Sequence, residues 1–198
     1  MTKLNFPNKL TVFRLLLVPV FVFFMLIDKT EHLGPTGDYI AVSIFFIASV
    51  TDFFDGRIAR KHGMVTNFGK FMDPLADKLL VCSAFICLSS MGRIHTWETI
   101  IVVWREFVIS GIRLIAAEKG VVIAASMWGK VKTVVSMCMI VAVIIHLHVN
   151  LPAVARPYFV WWGVFEQILI YASIFLTVVS LIDYIVKNRH VLKEKLLQ

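Results

Sequence analysis

Apolar residues run through this chain in six long blocks separated by short polar breaks. The blocks cover about 8–28, 38–60, 69–91, 96–118, 126–148 and 158–186. Each supplies the ~20 mostly apolar residues that a helix needs to cross a bilayer. The breaks carry residues that end helices, such as Gly34, Pro35 and Gly37, then Gly63 and Asn67. The pattern predicts an all-α, polytopic membrane protein of six transmembrane helices. The blocks use most of the chain, so residues 1–198 are expected to form a single membrane-embedded domain.

Composition agrees, with 59% hydrophobic residues and a mean hydropathy of +0.81. The first block follows Lys3 and Lys9, as a signal peptide would. It runs on to Ile27 and stops at Asp28-Lys29 without a small-residue cleavage site, and so reads as the first span. Cys82, Cys87 and Cys138 lie inside apolar blocks without metal-finger spacing and are expected as small buried hydrophobes. His146 and His148 fall near one end of the fifth block and read as interfacial, as do Trp161 and Trp162 in the sixth.

The net charge of +7 raises the possibility of nucleic acid, but its distribution argues against that partner. With the N-terminus inside, Lys3, Lys9, Arg57, Arg60, Lys61, Lys70, Lys119, Lys130, Lys132, Lys187, Arg189, Lys193 and Lys195 all fall inside. Only Lys29, Arg93 and Arg156 fall in the outside loops. This is the positive-inside asymmetry of an even number of spans. It places both termini on the cytoplasmic side of the cell membrane. Part of the inside charge also suits the anionic headgroups of membrane lipids.

Four aspartates break the apolar pattern within one short stretch. Asp52, Asp55, Gly56, Ala59 and Arg60 close the second block, and Gly69, Asp73 and Asp77 open the third. Asp52 and Asp55 are three apart and share a helix face; Gly69, Asp73 and Asp77 form an i, i+4, i+8 stripe. An ionised carboxylate at bilayer depth costs at least ~2.5 kcal/mol. Four of them make sense as oxygen ligands for divalent cations, whose charge offsets theirs. No His or Cys in the cluster suggests zinc. Two helices joined by a short linker are antiparallel neighbours, so the two faces are expected to converge at the cytoplasmic side.

Cations recur further on. Arg105 and Arg113 are eight residues apart in the fourth block, about two turns, and so share a face. Lys130 and Lys132 open the fifth. Arginine grips phosphate bidentately, and a pocket for an uncharged alcohol has no need of so many cations. The Arg105–Glu106 pair also reads as a packing ion pair, and the two lysines as attracted to headgroups. Arg14, early in the first block, either snorkels to the interface or turns inward onto a phosphate. Glu166 and Asp183 stand as isolated acids in the sixth block.

The spacing Asp52-x-x-Asp55-Gly56-x-x-Ala59-Arg60, then Gly69-x-x-x-Asp73-x-x-x-Asp77, resembles the hallmark of the CDP-alcohol phosphotransferase family at every fixed position. Pro7-Asn8-x-x-Thr11-x-x-Arg14, Arg105-Glu106 with Gly111 and Arg113, and Gly129-Lys130-x-Lys132-Thr133 look like the branch that makes phosphatidylglycerol phosphate. The resemblance covers essentially the whole chain. It implies a six-helix bundle, a homodimer, and a need for two divalent cations, Mg²⁺ or Mn²⁺. It implies transfer of the phosphatidyl group from CDP-diacylglycerol to the 1-hydroxyl of glycerol 3-phosphate, with CMP leaving. By position, Asp52, Asp55, Asp73 and Asp77 are metal ligands, and Asp77 or Asp73 is the catalytic base. Asn8, Thr11, Arg14, Gly56, Ala59, Arg60 and Gly69 bind CDP-diacylglycerol. Arg105, Arg113, Lys130 and Lys132 bind the acceptor's phosphate. Two alternatives stand beside this: the same chemistry with inositol phosphate, serine or a phospholipid as acceptor, and a cation or proton transporter using intramembrane carboxylates.

Overall fold

The computed structural model describes the backbone of residues 6–27, 35–62, 67–118, 120, 126–146 and 156–191, and the side chains of 12–27, 36–51, 78–117, 120, 126–146 and 161–189. The described residues form six α-helices and no strand: α1 Phe6–Ile27, α2 Pro35–His62, α3 Asn67–Ser90, α4 Thr96–Glu118, α5 Met127–His146 and α6 Arg156–Val191. All six apolar blocks are therefore helical, as expected. The last helix runs beyond its apolar block at both ends.

Local chemistry sets the boundaries around α4 and α5. Gly92 takes a left-handed φ of 71° in the turn after α3, and its amide donates to the Ser89 carbonyl at 3.0 Å. The Glu98 carboxylate reaches back to accept from the His95 amide at 2.9 Å, satisfying a free donor where α4 begins. Gly120, with φ 74°, ends α4 by donating to the Ala117 carbonyl at 3.1 Å. The Ser126 hydroxyl then accepts from the Gly129 amide at 3.1 Å and caps α5.

The chain divides into two compact units. One comprises Met1–Leu88 with Ile144–Val149, the other Ser89–Val143 with Asn150–Gln198. In the first unit α1 packs on α2. Phe21 and Met25 of α1 are fully buried, as are Ala41, Phe45 and Ala48 of α2, which recur at i, i+4 and i+7. The Phe21 and Phe45 rings lie 5.9 Å apart at 47°, within the favourable range for an aromatic pair. His146, expected at an interface, is buried in this unit. Of the three cysteines, Cys82 and Cys87 are buried as expected and Cys138 is exposed.

In the second unit α4 packs on α6, and α6 is ordered inside out. Its buried positions are Glu166, Ile170, Ser173, Thr177, Ser180 and Tyr184, a 4-3-4-3-4 spacing that follows one helix face. Five of those six are polar. Its exposed positions include Phe165, Ile168, Tyr171, Phe175, Val178, Ile182 and Ile185. In water this distribution would be strongly unfavourable. In hydrocarbon it is the expected one, because lipid solvates apolar side chains while polar groups pair between helices. Ser136 of α5 and Ser173 of α6 share a hydrogen bond of 2.7 Å, and such small side chains let helices approach closely.

By length and composition, two helical stretches qualify as membrane spans among the described residues: Met127–His146 and Trp161–Arg189. Val12–Ile27, Thr36–Thr51 and Lys78–Ser90 are shorter apolar stretches. Glu166 is not an isolated acid: Arg93 clasps it with one nitrogen 2.9 and 3.0 Å from its two oxygens. Trp161 is highly exposed, as an interfacial anchor requires.

Candidate active site

Two clusters carry chemistry, one in each unit. In the first unit the acidic motif falls on the end of α2 and the start of α3. The backbone is helical through both stretches, so Asp52 and Asp55 share a face of α2, and Gly69, Asp73 and Asp77 a face of α3. The side chains of Asp52, Asp55, Gly56, Ala59, Arg60, Gly69, Asp73 and Asp77, and of Asn8 and Thr11, lie outside the described residues. The donor set is all carboxylate oxygen, which suits a hard divalent cation. Among the described residues no three His, Cys, Asp or Glu side chains stand together as a metal site. Arg14 is 3% exposed. Of its two sequence readings, the buried position fits the inward one.

In the second unit α4, α5 and α6 bring together a buried ionic cluster. The Glu106 Oε1 atom accepts from Arg105 Nη1 at 2.7 Å and from Lys132 Nζ at 2.5 Å. Arg105 Nη2 donates to the Ser180 hydroxyl at 2.9 Å, and that hydroxyl donates on to the Thr177 carbonyl at 3.0 Å. Lys132 is only 2% exposed, although it is a lysine. A lone ammonium at that depth is expensive, and the shared carboxylate offsets it. One carboxylate against two cations leaves the trio with a net positive charge.

A Cβ at Gly129 would stand 3.6 Å from Arg105 Nη2, an ordinary van der Waals contact, so the α5 backbone runs close beside the guanidinium. Arg113 lies on the Arg105 face of α4 and is exposed. Lys130 precedes Lys132 by two residues, which turns it to the far side of α5, where it is exposed. The four acceptor-site cations are thus placed differently. Arg105 and Lys132 meet on Glu106, Arg113 extends that face, and Lys130 points elsewhere.

Sequence reasoning missed what α6 adds. Ser180 holds Arg105, and Asp183 pairs with Lys187 at 2.7 Å. Tyr184 packs with Ile109 and Ala116 of α4 in a small apolar cluster. The signal was present as the polar residues Ser173, Thr177, Ser180 and Tyr184 recurring at 4-3-4 within an apolar block.

An all-helical chain with apolar helices, one of which turns its polar residues inward and its apolar ones outward, has the character of a membrane protein. The chain belongs to the CDP-alcohol phosphatidyltransferase family, whose model matches residues 4–185. A Bacillus subtilis CDP-diacylglycerol–glycerol-3-phosphate 3-phosphatidyltransferase is 39% identical across 96% of this chain and 97% of its own length. A Haemophilus influenzae protein of the same name is 37% identical over 92% of each chain. A probable phosphatidylglycerophosphate synthase of Mycobacterium tuberculosis is 37% identical over 92% of this chain and 81% of its own. The chain is therefore an enzyme of phosphatidyl transfer, and the transporter reading gives way.

Proposed function

We propose that this enzyme transfers the phosphatidyl group of CDP-diacylglycerol to the 1-hydroxyl of sn-glycerol 3-phosphate, giving phosphatidylglycerol phosphate and CMP. The observation that carries the choice of acceptor is the surplus positive charge of the buried Arg105–Glu106–Lys132 trio, with Arg113 on the same face of α4. A second phosphate, on the acceptor, answers that charge; serine or a neutral alcohol does not. The names of the relatives from B. subtilis and H. influenzae agree with this acceptor.

In this reading Asp52, Asp55, Asp73 and Asp77 hold two divalent cations, Mg²⁺ or Mn²⁺. Such ions, when bound, neutralise the pyrophosphate and the charge that develops on the leaving oxygen. Asp77, or its neighbour Asp73 one turn away, takes the proton of the 1-hydroxyl. That oxygen forms the new bond to the β-phosphorus, and the bond to the CMP oxygen breaks with its electron pair leaving on CMP. Arg14, Asn8, Thr11, Gly56, Ala59, Arg60 and Gly69 bind the CDP-diacylglycerol headgroup. Arg105, Arg113 and Lys132 bind and orient the acceptor; Lys130, on the far side of α5, is left out of that set.

All six helices span the cell membrane, with the termini and the site cytoplasmic, and the chain works as a single domain in a homodimer. The asymmetry of lysine and arginine supports the orientation, and family resemblance supports the dimer. Mass spectrometry of the lipid made from isotopically labelled glycerol 3-phosphate tests the reaction. Labelled phosphatidylglycerol phosphate is expected, and a labelled lipid of any other headgroup would overturn the assignment.

A further inference from the structure

Among the described residues, the buried polar atoms on α4 and α6 without a hydrogen-bond partner include two donors as well as the Asp183 Oδ2 acceptor. The Tyr184 hydroxyl and the Arg105 Nε atom have no hydrogen-bond partner. Tyr184 is only 4% exposed, and a buried hydroxyl without a partner is ordinarily disfavoured. A phenylalanine would fill the same apolar cluster of Ile109 and Ala116 without that penalty. The hydroxyl therefore calls for an explanation other than packing.

Its surroundings supply one. Arg105 bonds Ser180, and Tyr184 follows Ser180 by one turn of α6, on the same face. Ile109, which packs with Tyr184, follows Arg105 by one turn of α4 and precedes Arg113 by one turn. Tyr184 thus sits at the level between the two arginines. A neutral O–H donor and a guanidinium N–H, both held dry beside a second arginine, are a donor set for a tetrahedral oxyanion. Arg105 is already fixed through its other two nitrogens, by Glu106 and Ser180.

We propose that the Tyr184 hydroxyl and Arg105 Nε are donors reserved for the acceptor's phosphate, making Tyr184 a specificity residue that favours phosphorylated over plain alcohols. This rests on the reading of the cluster as the acceptor-phosphate site. The two arginines alone attract any anion. The fixed hydroxyl adds direction, because an O–H donor rewards a phosphate oxygen placed at one point.

Tyr184→Phe removes the hydroxyl and keeps the ring. Steady-state kinetics of CMP release should show the KM for glycerol 3-phosphate raised roughly ten-fold, with the KM for CDP-diacylglycerol within about two-fold of the parent value. Melting of the detergent-solubilised protein should shift upward with glycerol 3-phosphate, and less so in the variant. Without ligand the variant should melt no lower than the parent. Tyr171→Phe, which removes an exposed hydroxyl on the opposite side of α6, is the control and should change nothing. An unchanged acceptor KM in an active Tyr184→Phe enzyme overturns the role of Tyr184 and leaves the reaction standing. A parent protein that neither turns over glycerol 3-phosphate nor is stabilised by it overturns the reading of the site, and this inference with it.

Discussion

Lys132 on α5 and Glu106 on α4 approach to 2.5 Å, and the same carboxylate oxygen takes Arg105 at 2.7 Å. The geometry is that of a buried charge held by a shared counter-ion. The shared carboxylate offsets the charge of both cations and aims them.

Glu106→Gln keeps the volume and removes the charge. Two cations would then stand close together without the charge of Glu106 between them, and breaking a buried pair in this way costs about 3–5 kcal/mol. Thermal or SDS-induced unfolding in detergent should show the loss clearly. A variant as stable as the parent would mean that the trio is not a paired unit.

Asp77→Asn tests the other cluster. If Asp77 serves the metals or takes the acceptor's proton, kcat should fall at least ~100-fold. The helical circular dichroism should stay unchanged, since the substitution is isosteric and lies within a helix. Turnover near the parent rate would remove Asp77 from the chemistry.

Arg93 and Glu166 make a separable case. Glu166 is buried, while the Arg93 side chain is 31% exposed, so solvent weakens the pair. Arg93→Ala should destabilise by about 1–3 kcal/mol, with both KM values and kcat intact. A large loss of activity at unchanged stability would contradict a purely structural clasp.

The six helices were legible because apolar runs of spanning length admit few other structures, and the acidic motif because its spacing follows one helix face. What escaped was what joins distant positions. Arg93 and Glu166 are 73 residues apart, and nothing in the local pattern around either names the other. Arg105 and Glu106 were visible as neighbours, but the arrival of Lys132 on the same oxygen depends on how α5 lies against α4. Lys130 and Lys132 looked equivalent in sequence, and a rotation of some 200° around the helix separates them. Tyr184 and Ser180 were hidden by hydrophobicity itself. In an apolar block a few hydroxyls read as tolerated exceptions, and only the burial of that stripe shows that they face the interior of the bundle. His146 shows the complementary point, since position near a block's end does not decide which side of the helix is covered.

The most direct test of the central claim is CMP release by the purified protein in detergent, with CDP-diacylglycerol and Mg²⁺ or Mn²⁺. Glycerol 3-phosphate, glycerol, inositol phosphate, serine and no acceptor would be compared in parallel. Release that depends on the divalent ion and on glycerol 3-phosphate, and on none of the others, is expected. Equal release with glycerol or serine would contradict a site built around a second phosphate, and release without any added ion would contradict the role given to the four aspartates.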